Sequence, residues 1–391
     1  MEHSYTFANC LCFEKLLAMR ILGAHMERLS FNEAPIFDSI DTKQGTIFID
    51  WGRTNHILDT LLAAYRSKEF PYNTKEAIVP HAHQHLPESL ELGSKEHAMF
   101  LFVSCYYMRG RVKSVTAFKG LTRLYENAPH LFDSSIAQYE PPERISVLLT
   151  EAGLGSQEHV SKQWVENATR LEKDWAGDPR NIFEGVSDYS QCLERIQNNG
   201  KKGDKAKGFV GFQEKMVSMI AYYLMDEGMI DSFEFPLPVD LHVLRVSVAN
   251  EMIVFDGYDE EANLYSKETL ALMRELYHRY AVDNNVSTLE LCNAVWLLSQ
   301  SVCGKQPGNI TLEPNGSDNS EGRSTLLVPL PINPHDRTQQ NAYENSCGQC
   351  PLDQTCEWNV PGKIYYVQGE LRRRGKRVVI PNDRLFEIYE L

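Results

Sequence analysis

Apolar residues recur along most of the chain at intervals of three and four, the spacing of one face of an α-helix. Phe13, Leu16, Leu17, Met19, Ile21 and Leu22 predict a first helix over 12–29, and a second is expected around Asn55 to Tyr65. From Gly93 the pattern strengthens. Phe100, Leu101, Val103 and Tyr107 predict a helix buried nearly all round. Arg109-Gly110-Arg111 breaks it, and Val112 to Tyr125 forms the next helix. Pro141 to Thr150 begins another, stopped by glycine. His159 to Trp175 carries Val160, Trp164, Ala168 and Leu171 on one stripe, and both Trp164 and Trp175 are assigned to the core. Further helices are predicted from Asn181 to Ile196, from Phe212 through Leu224, after Asp240, and from Lys267 to Tyr280. The last runs from Ser287 to Gln300, with Ser287 and Glu290 spaced as a capping box. Periodicity then fails in the Gly, Pro, Asn and Ser-rich stretch from Gly304 to Ser346, although Ser324-Thr-Leu-Leu-Val reads as a short strand. The tail from Gly362 reads as strands around Lys363, Arg377 and Leu385. The pattern therefore predicts a mainly α fold with a short β-rich C-terminal tail.

At 391 residues the chain accommodates two domains, or one large domain with insertions. A formal net charge of −14 argues against a general nucleic-acid binder. Local positive charge remains, in Lys201, Lys202, Lys205 and Lys207 and in the run Arg372 to Arg377, which suits a phosphate contact, a nuclear address or an exposed turn. The N-terminal LCFEKLLAMRIL run is too short and too charged for a signal peptide or a membrane span, and no other segment approaches 18 uninterrupted apolar residues. No membrane partner is expected. Nine cysteines without an export signal point to a reducing compartment, where clustered thiols bind metal rather than form disulfides. The loop from Pro71 to Pro87 holds His81-Ala-His83-Gln-His85, which reads either as metal ligands on a strand or as a surface loop.

The chemistry concentrates between Gly208 and Val246. Gly208 and Gly211 mark a tight turn, and a helix follows in which Lys215 occupies the first turn, where the positive helix end favours the neutral amine. Pro238-Val239-Asp240 opens the next helix with a carboxylate as its natural N-cap. A lysine nucleophile and a carboxylate on adjacent helix starts can meet in one cleft. The pair GFQEK and PVDLHVLRV resembles the helix-hairpin-helix DNA glycosylases, in their endonuclease III-like branch. In that resemblance Lys215 matches the family's lysine and Asp240 its aspartate, while His242 and Arg245 match the rest of the second segment. Gly208, Gly211, Gln213, Lys207, Arg109 and Arg111 are the implied DNA contacts. The sequence departs from the family at two places. The hairpin reads Gly211-Phe212-Gln213 where G-x-G is usual, and the loop Met108-Arg109-Gly110 lacks the probing glutamine.

Cys347, Cys350 and Cys356 have the C-x2-C-x5-C spacing of the last three ligands of the family's [4Fe–4S] cluster. No cysteine lies six residues upstream of Cys347, and Cys303, directly after a helix, is assigned as the fourth ligand. The 43 residues from 304 to 346 are then an insertion in the cluster loop. Cys292 is the rival ligand, and zinc is the alternative occupant, since four thiolates satisfy either. The resemblance implies a two-lobed helix-hairpin-helix glycosylase fold with a cysteine cluster loop. Residues 1–92 form an N-terminal extension contributing a helix to the cluster lobe, 93–237 a helical barrel lobe ending in the hairpin, 238–361 the cluster lobe, and 362–391 the basic tail. It implies base excision from double-stranded DNA carrying a damaged or modified base, with abasic-site lyase chemistry through a lysine Schiff base. The enzyme is expected as a monomer in the cytoplasm or nucleoid, or the nucleus of a eukaryote. A glycosidase acting on free modified nucleosides, a non-catalytic DNA-binding relative, and a zinc-stabilised helical protein are the competing readings.

Overall fold

The computed structural model describes residues 38–74, 77, 82–107, 114–154, 158–201, 207–258, 266–303, 309–312, 324–327, 341, 345–356 and 365–366. It is mainly helical. The helix expected over 12–29, the Arg109 and Arg111 loop, His81 and the Arg372–Arg377 run fall outside the described residues.

Strands β1 (Ser39–Asp41), β2 (Thr46–Ile49) and β3 (Ile253–Asp256) form an antiparallel sheet in that order, with Ile47 opposite Phe255 and Ile49 opposite Ile253. Alternation along β2 turns Ile47 and Ile49 into the core. The chain passes from β2 into α1 (Trp51–Arg66), capped by Asp50, whose carboxylate accepts from the Arg53 amide at 2.9 Å. Helices α2 (Lys95–Ser104), α3 (Ser114–Asn127), α4 (Ser134–Ala137), α5 (Pro142–Glu151), α6 (Glu158–Trp175) and α7 (Tyr189–Ile196) follow. Then come α8 (Glu214–Asp226), α9 (Leu241–Ala249), α10 (Lys267–Asp283) and α11 (Thr288–Ser301).

Packing sorts the helices into two groups. In the first, α6 packs on α4 and α5, α3 on α5 and α2, and α8 on α2 and α7. In the second, α11 packs on α9, α1 and α10, while α9 and α10 lie against the β1–β2–β3 sheet. Helix α8 also touches α11 and so belongs to both groups. Its residues Met216 to Met225 are buried without a break, as expected of a helix walled on every side. Trp164 of α6 is fully buried, donates its indole N–H to the Leu131 carbonyl at 2.9 Å, and meets Tyr106 and Phe132 edge-on.

Several elements differ from their sequence-based expectations. The 181–196 segment is two pieces, a 3-10 turn at Pro179–Phe183 and then α7, because Gly185 turns the chain at φ +68° and Asp188 caps α7 through the Gln191 amide. Trp175 is half-buried with the Arg195 guanidinium 5.6 Å over its ring, rather than a core residue. No capping box forms on α11. Ser287 accepts from the Leu289 amide, and Glu290 turns away to bind Arg66 at 2.8 and 2.9 Å. His83–His85 form a 3-10 turn rather than a strand. There His83 Nδ1 lies 3.2 Å from Glu227, and His85 stacks on Phe118. Strands β2 and β3 carry too short an alternation to have been separated from loop, since each has four residues. In the region 304–346, β4 (Asn309–Leu312) pairs with β5 (Ser324–Leu327), which pairs with β6 (Tyr365–Tyr366) of the tail. Insertion and tail therefore share one sheet. Among the described residues no helix is long and apolar enough to cross a membrane.

Candidate functional site

The hairpin between α7 and α8 is held by backbone and by buried polar groups. Gly208 has φ +67° and Gly211 φ +82°, both left-handed. A Cβ on Gly208 would lie 2.1 Å from the Gln197 carbonyl oxygen, so only glycine fits the turn. Phe209 donates its amide to the Ile196 carbonyl at 2.9 Å, and Asn198 to Phe212 at 2.9 Å. Asn167 of α6, fully buried, binds Val210 at both ends, accepting from its amide at 2.7 Å and donating to its carbonyl at 3.1 Å. Arg170, one turn along, donates to the Gly208 carbonyl. Neither was singled out in the sequence. The available signal was Asn167, a polar residue one helical turn from Trp164 on the buried side of α6.

Phe212, the residue between Gly211 and Gln213, is fully buried and stacks on Phe102 at 4.9 Å. It anchors the turn to the core. Gln213 takes the N-cap position of α8 in extended conformation and makes no side-chain capping bond. Lys207 and Gln213 are exposed beside Gly208 and Gly211, so these implied DNA contacts sit together on one turn.

Lys215 is half-buried in the first turn of α8. Asp240 caps α9, accepting from the amides of His242 at 2.8 Å and Val243 at 3.1 Å. Both bear electrostatically on His242, whose ring meets Trp296 at 5.7 Å and whose Nδ1 lies 3.1 Å from the Ser299 hydroxyl. Burial holds His242 below the usual histidine range; the Asp240 carboxylate opposes this, and the Arg245 and Lys215 cations add to it. Neutral His242 thus lies within electrostatic reach of the lysine and the aspartate together. Asp240 also bears on Tyr223 and Cys292, both buried, and helps raise both. Cys292 faces this carboxylate and Asp226.

One turn beyond His242, Arg245 is 5% exposed, and its Nε has no hydrogen-bond partner among the described residues. Burial lowers the guanidinium's pKa, while Cys303 and Asp240, in that order, act against the shift. A buried cation is costly unless paired with negative charge. Cys303 follows α11 directly. Burial raises its thiol while Arg245 lowers it. Burial, then Cys303, pushes Cys347 up to about 12. Cys350 rises well above the thiol range through burial and through Cys303, Cys356 and Cys347. Cys303 thus acts electrostatically on Cys347 and Cys350 although 43 residues separate it from Cys347. Leu352 directs its amide at Cys350 Sγ, at 3.4 Å.

Among the described residues no three His, Cys, Asp or Glu side chains are already gathered as a group that could hold a metal ion. The donor chemistry nevertheless fits one. Four soft thiols, an amide aimed at sulfur and a buried guanidinium lacking a bond at Nε suit an anionic thiolate centre, either [4Fe–4S] or zinc. Two residues outside the sequence motifs complete its surroundings. Tyr72, buried, donates its hydroxyl to Ala294 O at 2.9 Å and is raised first by burial, then by Cys350 and Cys303. Arg53 donates to the carbonyls of Asn250, at 3.0 Å, and Thr355. No family model matches the chain, and no curated protein sequence matches it at a significant level.

Proposed function

We propose that the chain is a DNA base-excision glycosylase of the helix-hairpin-helix type with abasic-site lyase activity. The observation that carries this reading is the placement of Lys215 in the first turn of α8 and of Asp240 at the N-cap of α9, both bearing electrostatically on His242, together with the C-x2-C-x5-C spacing of Cys347, Cys350 and Cys356. A base inside a duplex is unreachable, so its nucleotide is extruded toward the α8–α9 starts. Cleavage of the N-glycosidic bond builds positive charge on the sugar, which the Asp240 carboxylate stabilises. The Lys215 amine, once it has given up its proton, attacks the anomeric carbon, the base leaves with the bonding electron pair and takes up a proton, and sugar-ring opening yields a Schiff base. Loss of a proton from the adjacent sugar carbon then expels the 3′ phosphate by β-elimination. Lys207, Gly208, Gly211 and Gln213 form the phosphate-gripping turn, and the exposed start of α8 favours an anion there. Cys303, Cys347, Cys350 and Cys356 would hold a [4Fe–4S] cluster, which when bound would supply a structural cross-link.

Borohydride trapping on a duplex with one abasic site tests the reading. A covalent adduct is expected with the native chain and none with Lys215→Ala. Absence of an adduct from folded, metal-loaded protein removes the lyase claim. A second reading, a glycosidase for free modified nucleosides, is favoured by the acidic charge of −14 and by Gln213 in place of a hairpin glycine. Duplex affinity that is independent of salt concentration would support it, because phosphate contacts release counterions and nucleosides do not.

A further inference from the structure

Cys303 is separated from Cys347 by 43 residues, so the intervening chain cannot by itself hold the first thiol against the other three. Two rigid bodies must be joined from outside. Cys303 travels with α11, which packs on α1 and α9. The Cys347–Cys356 turn is a separate unit closed by its own bonds, Cys350 amide to Cys347 carbonyl at 2.9 Å and Cys356 amide to Leu352 carbonyl at 2.8 Å.

Arg53 joins them. It sits in the first turn of α1, half-buried, where Asp50 fixes the backbone. Its Nε donates to Asn250 O at the end of α9, and its Nη2 donates to Thr355 O, the residue before Cys356. One planar group thus binds the helix that packs on α11, the end of α9 and the cysteine turn. Tyr72, from the same N-terminal portion, bonds Ala294 of α11, the helix that carries Cys303 at its end.

We propose that Arg53 is a positioning residue for the four-cysteine centre, a clasp that sets Cys356 and its turn against Cys303. The assignment rests on the metal-centre reading above. A guanidinium is needed because two carbonyls in different directions demand donors in a fixed fork, which an ammonium does not provide. Groups that orient metal ligands typically change metal retention about 10–100-fold when lost.

The test uses the full chain, purified without oxygen, as the native protein and as the Arg53→Ala, Arg53→Lys and Arg66→Ala variants. Iron and zinc content, loss of charge-transfer absorbance under chelator and air, and unfolding by circular dichroism are measured on each. Arg53→Ala is expected to lose its absorbance at least about 10-fold faster, with an unfolding midpoint close to that of Arg66→Ala. Arg53→Lys is expected between Ala and the native chain, and Arg66→Ala at the native rate. Native retention in Arg53→Ala overturns the clasp. So does full rescue by lysine, which would leave charge alone as the requirement, or absorbance loss that only tracks unfolding. Native protein containing neither iron nor zinc sinks the metal-centre reading itself, a result distinct from any of these.

Discussion

Asp240 performs two jobs that one substitution separates. Its carboxylate caps α9 with bonds of 2.8 and 3.1 Å to the amides of His242 and Val243, and in the proposed reaction its charge stabilises the sugar cation. Asparagine keeps an acceptor oxygen in the same place and loses the charge. Alanine loses both. N-cap loss costs about 0.5–2 kcal/mol, and the upper half of that range applies because Val243 beneath the cap is only 2% exposed. Asp240→Ala is therefore expected to be less stable by about 1–2 kcal/mol in urea unfolding, and Asp240→Asn by only a few tenths. Removing a preorganised electrostatic partner costs about 10²–10³ in rate. The single-turnover rate of base release from a lesion-bearing duplex should fall by about that factor in both variants. Native rates in Asp240→Asn would refute the charge role. Equal stability of the alanine and asparagine variants would refute the cap.

Gly208→Ala forces a side chain into a left-handed residue and against the Gln197 carbonyl, 2.1 Å from the new Cβ. We expect about 2–3 kcal/mol of destabilisation and a shallower salt dependence of duplex binding, read by urea midpoints and fluorescence anisotropy; unchanged binding would take the hairpin out of the DNA surface. His97, 1% exposed, accepts the Gly93 amide at 3.1 Å through Nδ1 and leaves Nε2 buried without a bond among the described residues. Burial lowers its pKa from 6.5 to about 4, with His83 adding to the shift. The unfolded chain then binds a proton that the folded chain refuses. Its contribution is intact above pH 6.5 and falls as pH drops toward about 4. The loss approaches about 3 kcal/mol at about 1.4 kcal/mol per unit. His97→Gln, which keeps an acceptor for Gly93, should flatten the acid limb of stability against pH. An identical acid limb in the two proteins would show that His97 does not titrate there.

Helices were legible where local chemistry decides them. The stripe from Val160 to Leu171 sets α6, and a single carboxylate, Asp240, starts α9. What could not be read depends on partners distant in the chain. Strand β2 is recognisable only once β3, some two hundred residues later, lies beside it. Glu290 forms no capping box because Arg66, on another helix, competes for it. The cysteine spacing named three thiols and α11 suggested the fourth, but nothing near the motif announces Arg53 or Tyr72. The positions of Lys215 and Asp240 followed from helix starts. That both act on one histidine, and that Cys303 and Asp240 both act on Arg245, required the packing of α8 and α9 on α11.

Helix α8 is buried without interruption from Met216 to Met225 and belongs to both helical groups. A hinge needs a weakly packed connection, and this connection is enclosed by protein over most of its length. Lys215 consequently sits at the end of a fixed rod. Opening a cleft around it by swinging one group from the other would tear the core, so in a reaction at this lysine the adaptable partner is the substrate. The cost of bringing the reacting atoms together would fall on bending and unstacking the nucleic acid, and lesions that already weaken the duplex would be selected by their compliance before any contact reads their chemistry.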